Sequence, residues 1–244
     1  MNAMRGTAAP ETSGERQAAE WVQRMFAGIA PRYDLINHLL SFNIDRSWRK
    51  ALIDGMIPVL RRRDAKVLDL CCGTGDVLFQ MQKIASARVM GADFCHPMLV
   101  AAQKKPGLDA PLFEGDALRL PLAANTLDGI SIAFGFRNLA NYSGGLLELH
   151  RVLRPGGMLA ILEFSHPAGA FVRTTYGIYS RIFLPIIGGL ISGSREAYSY
   201  LPDSIRNFPA AEKLREMMEL AGFVNSHFEL LTGGIAALHT GYKN

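Results

Sequence analysis

The chain has 244 residues with 26 basic and 22 acidic side chains, a net charge of +4, and it is 49% hydrophobic and 20% charged. That apolar share with so small a charge excess excludes a disordered chain, and a surplus spread along the sequence does not make a nucleic-acid-binding surface. Three cysteines in this length exclude a disulfide-stapled module and fit a reducing cytoplasm.

Residues 1–17 are rich in Ala, Thr, Ser and Gly and lack the apolar run of a signal peptide, so they read as a flexible arm. A single domain is expected over 18–244. Its first part, 18–60, begins with helical spacing of Trp21, Val22 and Met25 and continues through an aromatic- and Arg-rich helix, turn and helix. Together these form a helical lid. From Lys66 onward, short β-branched runs alternate with helical ones, with strands expected at 67–70, 87–93, 110–117, 127–135 and 158–165. This alternation predicts an α/β fold with a mostly parallel sheet and right-handed crossovers. Pro155 and Gly156 stop the helix before the fifth strand. A polar and aromatic insertion on the substrate side follows over 166–208, then a helix over 211–221. The runs 226–232 and 235–243 pair as a C-terminal antiparallel hairpin through Gly233-Gly234. The longest apolar run, 182–192, contains Pro185, Gly188 and Gly189 and is too short to span a bilayer. It reads equally as a buried segment and as a groove for an apolar ligand.

Ligands of such sheets gather outside the carboxyl ends of the strands. Three features fall there. After the first strand stands Asp69-Leu70-Cys71-Cys72-Gly73-Thr74-Gly75-Asp76, where Gly73 and Gly75 allow a sharp turn and close backbone approach. It lacks both the Lys-Ser/Thr of a P-loop and the third glycine of a dinucleotide fold. An ordinary strand-to-helix turn would use the same glycines. After the second strand, Asp93 lies 24 residues beyond Asp69, placed to accept ribose hydroxyls. After the third, Asp116-Ala117 could meet the amine of an adenine. Without a Lys or Arg beside the loop, the three describe a pocket for an adenosine carrying no diphosphate.

These residues carry a family resemblance. VLDLCCGTGDV, GADFCHPML, GDALRLPLAANTLDGISIAFGFRN and LHRVLRPGGMLAILEFSHP resemble the successive motifs of class I S-adenosylmethionine-dependent methyltransferases, a Rossmann-like fold. More narrowly, FAGIAPRYD with Asn37, FGFRN, YSYLPDS and the ending ALHTGYK resemble the ubiquinone/menaquinone biosynthesis C-methyltransferases, with coverage from about residue 20 to the end. The resemblance implies S-adenosylmethionine as methyl donor with no metal, held by Thr74, Asp93, Asp116 and Ala117 together with Gly73, Gly75 and Asp69. Two positions depart from the pattern. Cys71 replaces a Gly or Ala and keeps the turn if its φ is negative, and Ala133 lacks the hydroxyl of a Ser.

The implied reaction is methylation of a ring carbon of a polyprenylated quinol, most simply demethylmenaquinol. The benzoquinol step of ubiquinone biosynthesis, another apolar acceptor and a non-catalytic binding protein are the alternatives. A quinol carbon becomes nucleophilic as a hydroxyl loses its proton, so the site needs a proton path and a group to steady the phenolate. Arg137 is expected to face the substrate and stabilise that oxygen, with Asn138 hydrogen-bonded to a ring oxygen. A salt bridge from Arg137 to a neighbouring acid is the other reading. Tyr33 and Asp34 would close over the ring or simply pack. The polyprenyl tail implies contact with a membrane surface through aromatic and aliphatic residues of 171–190, on a cytoplasmic protein forming a homodimer and binding no nucleic acid. Cys71, Cys72 and Cys95 lack zinc spacing, and His38, His96, His166 and His239 are scattered. Arg61-Arg62-Arg63 reads as a solvated helix end or a contact for anionic lipid.

Overall fold

In the computed structural model of the chain, residues 6–7, 12, 14–30, 41, 43–167, 169 and 195–244 are described, with the backbone alone at 195–199. Tyr33, Asp34, Asn37, His38 and the apolar run 182–192 lie outside them. Two helices, α1 (Glu15–Ile29) and α2 (Ile44–Leu60), precede a seven-stranded sheet. Its elements are β1 (Lys66–Leu70), α3 (Asp76–Ile84), β2 (Arg88–Asp93), α4 (His96–Gln103), β3 (Leu112–Glu114), β4 (Leu127–Ala133), α5 (Tyr142–Val152) and β5 (Leu153–Phe164). Then come α6 (Arg195–Asn207), α7 (Ala211–Leu220), β6 (Phe223–Leu231) and β7 (Ala236–Lys243). The strand order is β3-β2-β1-β4-β5-β7-β6. Strands β1 to β5 pair in parallel, whereas β7 runs antiparallel to both β5 and β6. The chain leaves β1 toward one edge and returns at β4, so the order reverses between β1 and β4. A crevice opens outside their carboxyl ends.

Successive side chains of a strand point to opposite faces, and the core divides accordingly. Leu68 and Leu70 of β1, Ile130 and Ile132 of β4, and Leu159 and Ile161 of β5 pack with Leu146 and Leu149 of α5 and Leu214 and Met218 of α7. Val67, Ala160 and Leu162 face the other way, onto Leu52 and Met56 of α2 and Val77 and Met81 of α3. Strands β4 and β5, sandwiched on both faces, are therefore almost continuously apolar.

Three sequence expectations are corrected. The arm is not loose throughout: the Gly6 and Thr7 amides donate to the carbonyls of Ala140 (3.1 Å) and Leu139 (2.8 Å). A side chain at position 6 would fall on the Ala140 backbone, so only glycine allows this approach. Residues 44–60 are no lid, because α2 carries an apolar face with Trp48, Leu52 and Met56 into the core. Helix α5 ends at Val152, three residues before Pro155, and β5 begins at once, because Leu153 already pairs with Leu127. Proline disfavours the helical conformation of the residue before it, and here the chain straightens earlier still. The C-terminal hairpin forms as predicted, with Leu231 opposite Ala236 across a 3₁₀ turn at Thr232–Gly234.

Candidate active site

The loop after β1 is built on left-handed backbone. Cys71, Gly73 and Gly75 have φ of 55°, 56° and 80°. The Gly73 amide donates to Asp93 Oδ2 at 2.9 Å, and the Cys95 amide donates to Asp93 Oδ1 at 2.9 Å. Asp93 thus ties the first turn to the second and is not the cap of α4, whose N-cap is Cys95. Burial pushes its carboxyl up while the amides of Cys95, Gly73 and Phe94 pull it back. Each oxygen keeps a lone pair for a ligand hydroxyl.

A cavity open to solvent lies between these turns and the end of β4. One wall holds Cys71, Gly73, Asp93, Phe94, Met98 and Gly115 to Leu118, and the other holds Ala133, Phe134, Gly135 and Asn138 to Ala140. Ala19 and Phe26 of α1 cover it, and the Gln23 amide pins that helix to the Phe94 carbonyl at 2.7 Å. Asp93 and Asp116 are the charged residues of the described wall, and no Lys or Arg is among them. Such a lining suits a cationic ligand with hydroxyls and an amine to donate, and disfavours a phosphate. S-adenosylmethionine, a sulfonium with a ribose and an adenine, fits that donor set.

The structure places Gly73, Asp93, Asp116, Ala117 and Asn138 on the wall, and Asp69, Thr74, Gly75 and Arg137 off it. Asp69 is buried between strands, paired in register with Ser131, whose hydroxyl donates to Asp69 Oδ1 at 2.7 Å. Burial drives its carboxyl up to about 7. Thr74 is buried. Gly75 serves packing, since a Cβ there would stand 2.8 Å from Leu108. Arg137 lies off the described cavity wall, and the salt bridge to a neighbouring acid is observed. Its Nη1 donates to both Glu163 oxygens at 3.0 and 3.2 Å and to the Phe134 carbonyl, and its amide donates to Glu163 Oε2 at 3.1 Å. Glu163 is fully buried and accepts the Phe164 amide as well. The pair ties the turn over 134–138 to β5. Asn138, at the end of that turn, accepts from the Tyr200 hydroxyl at 3.0 Å.

Comparison with known proteins places this geometry. The family model described as the ubiE/COQ5 methyltransferase family matches residues 12–243. The chain belongs to the ubiE/COQ5 methyltransferase family. A demethylmenaquinone methyltransferase of Thermus thermophilus is 48% identical over 89% of this chain and 99% of its own length. Those of Deinococcus radiodurans and Staphylococcus aureus are 42% and 40% identical, over 96% and 92% of this chain and 97% and 93% of theirs. Among solved structures, a methyltransferase of Thermotoga maritima described as a possible histamine N-methyltransferase aligns with a TM-score of 0.62 at 16% identity, covering 91% of this chain and 99% of that one. The cyclase SpnF aligns at 0.69 and 16% identity over 98% of both chains. Those two carry the fold alone, and their different names show how little it dictates chemistry.

In this methyltransferase several site residues escaped the sequence reading. Phe134 lines the cavity with φ of 58°, a costly conformation for an aromatic residue. It is held by Phe164 at 4.8 Å and Trp48 at 5.9 Å between ring centroids. Its place in the FGFRN run was visible, but not its direction. Glu163 gave only the signal of an acid inside an apolar strand. Cys71 also departs from expectation, because its φ is positive. Burial and the nearby Asp93 and Asp69 raise its thiol and that of Cys72, so both stay neutral. His239 is a buried core group: its Nε2 meets the Ala211 carbonyl at 2.9 Å, and burial lowers it to about 4. Among the described residues no cluster of His, Cys, Asp or Glu is placed to hold a metal, and no helix is long and apolar enough to cross a membrane.

Proposed function

We propose that the enzyme methylates the ring of a polyprenylated demethylmenaquinol. The near-full-length likeness to three demethylmenaquinone methyltransferases carries this reading. S-adenosylmethionine, when bound, supplies a methyl group on a positively charged sulfur. Asp93 takes the ribose hydroxyls, Asp116 and Ala117 border the adenine, and Gly73 brings the backbone close. The apolar wall of Phe134, Leu139 and Ala140 receives the ring and excludes water. Asn138 holds a ring oxygen as the hydroxyl proton leaves, and holding the carbon in line contributes much of the rate. Arg137 acts at one remove, keeping the 134–138 turn in place through Glu163. Tyr33 closes the site, and the 171–190 segment meets the prenyl tail at a membrane surface, on a cytoplasmic homodimer.

The test is transfer of radiolabelled methyl from S-adenosylmethionine to demethylmenaquinol and to the demethylated benzoquinol, side by side under reducing conditions. Label in the naphthoquinol product is expected. Label in the benzoquinol alone moves the assignment to the other ring, and label in neither with the donor still bound refutes the quinol reading.

A further inference from the structure

The established family accounts for the cofactor turns, but not for a chain of hydroxyls that enters the site from the opposite end of the sequence. Thr7 Oγ1 lies 2.6 Å from the Tyr200 hydroxyl, which lies 3.0 Å from Asn138 Oδ1. All three residues are buried, and 193 residues separate the first two. The order of donors follows from Asn138 Oδ1 facing the Tyr200 hydroxyl. A carboxamide oxygen only accepts, so the Tyr200 proton goes to Asn138, and the Thr7 proton must then go to Tyr200. With Oδ1 taking the Tyr200 proton, the Asn138 carboxamide turns its Nδ2 away from Tyr200. Its Nδ2 keeps two protons, and among the described residues it makes no hydrogen bond of its own. Asn138 lies on the cavity wall beside Leu139 and Ala140, whose carbonyls hold the Gly6 and Thr7 amides. Trp21 of α1 packs on the Tyr200 ring at 5.1 Å.

We propose that Thr7 and Tyr200 are positioning residues for methyl transfer, and that they fix Asn138 as a hydrogen-bond donor toward the oxygen of the quinol that becomes a phenolate. The proposal rests on the quinol reading and deepens it. Each hydroxyl donates in the same sense along the chain, so each bond polarises the next and strengthens the final N–H donor. An amide free to rotate would offer its oxygen to the phenolate half of the time, which repels it. The N-terminal segment is on this view part of the acceptor site.

The experiment compares Tyr200→Phe, Thr7→Val and Thr7→Ser with the wild type in the methyl-transfer assay over a range of pH. Tyr200→Phe keeps the ring contact with Trp21, and circular dichroism checks that it folds. It should lower kcat/KM for demethylmenaquinol about tenfold, the size of one hydrogen bond to a charged oxygen, while the KM for S-adenosylmethionine stays within about twofold. The rising limb of the kcat profile should move to higher pH, because a phenolate less well held is harder to form. Arg137 and Glu163 are the charged groups whose fields reach Tyr200, and the variants leave both in place. Thr7→Val should reproduce the shift in smaller degree, and Thr7→Ser should restore it. Wild-type transfer with folded variants whose kcat/KM and pH limb are unmoved overturns this role alone. Equal losses for acceptor and donor overturn it too, because they mark a structural effect. No wild-type transfer to any quinol overturns the quinol reading and this role with it.

Discussion

Replacing Arg137 by Met removes the cation that faces a fully buried carboxylate. Glu163 accepts from the Arg137 guanidinium at 3.0 and 3.2 Å and from the amides of Arg137 and Phe164 at 3.1 and 2.8 Å. The amides persist in the variant, but the charge is left uncompensated, a change that costs about 3–5 kcal/mol at a buried pair. With a urea slope of about 3 kcal/mol per M, the midpoint should fall by about 1–1.7 M. Glu163→Gln breaks the pair from the other side and leaves the arginine stranded. In the double variant neither charge remains, so its loss should be smaller than the sum of the singles by about 2 kcal/mol. Burial already raises the Glu163 carboxyl, against the pull of Arg137. Without Arg137 it rises further and stays protonated in the fold at a pH where the unfolded chain ionises. The Arg137→Met deficit should therefore grow as pH rises above the unfolded carboxyl range and shrink as pH falls toward it. Urea denaturation of the four proteins at several pH values reads all of this. An Arg137→Met deficit under about 1 kcal/mol, with an additive double variant, would refute the reasoning.

His239, lowered to about 4 against an ordinary 6.5, is neutral in the fold where the unfolded chain binds a proton, so its stabilisation is lost as pH falls from 6.5 toward 4. In His239→Gln, thermal melts should show a pH dependence flatter by about 3 kcal/mol over that window. Asp69, raised to about 7 from 3.8, has the opposite slope: its burial costs stability as pH rises between those values. Asp69→Asn, which keeps an acceptor for Ser131, should lose that fall, and an unchanged slope would show that the carboxyl does not titrate there. Cys71→Gly should raise the stability by about 1 kcal/mol in calorimetry by relieving a left-handed cysteine. Gly135→Ala should abolish S-adenosylmethionine binding in titration calorimetry, because the new Cβ falls on the Cys71 Cβ, and Cys71→Gly in the same chain should restore part of it.

The sequence by itself determined the parallel sheet, the C-terminal hairpin, the chemical class and the turns that line the cavity. Those features are local. Strand patterns repeat every second residue, left-handed turns need glycine, and Asp93 ends its strand while Asp116 stands two residues beyond its own, where the topology must open. What the tertiary structure decided is non-local. Asp69 and Arg137 have the composition of site residues, yet Ser131 and Glu163, 62 and 26 residues away, draw them into the core. Helix α2 resembles a lid in composition, but its Trp48 face meets the sheet. Nothing in the first seven residues marks Thr7 as a partner of Tyr200, because that contact exists only once Tyr200 has been brought from the far end of the chain. A side chain's partner depends on which elements pack against its own, and one sequence read along its length carries no term for that.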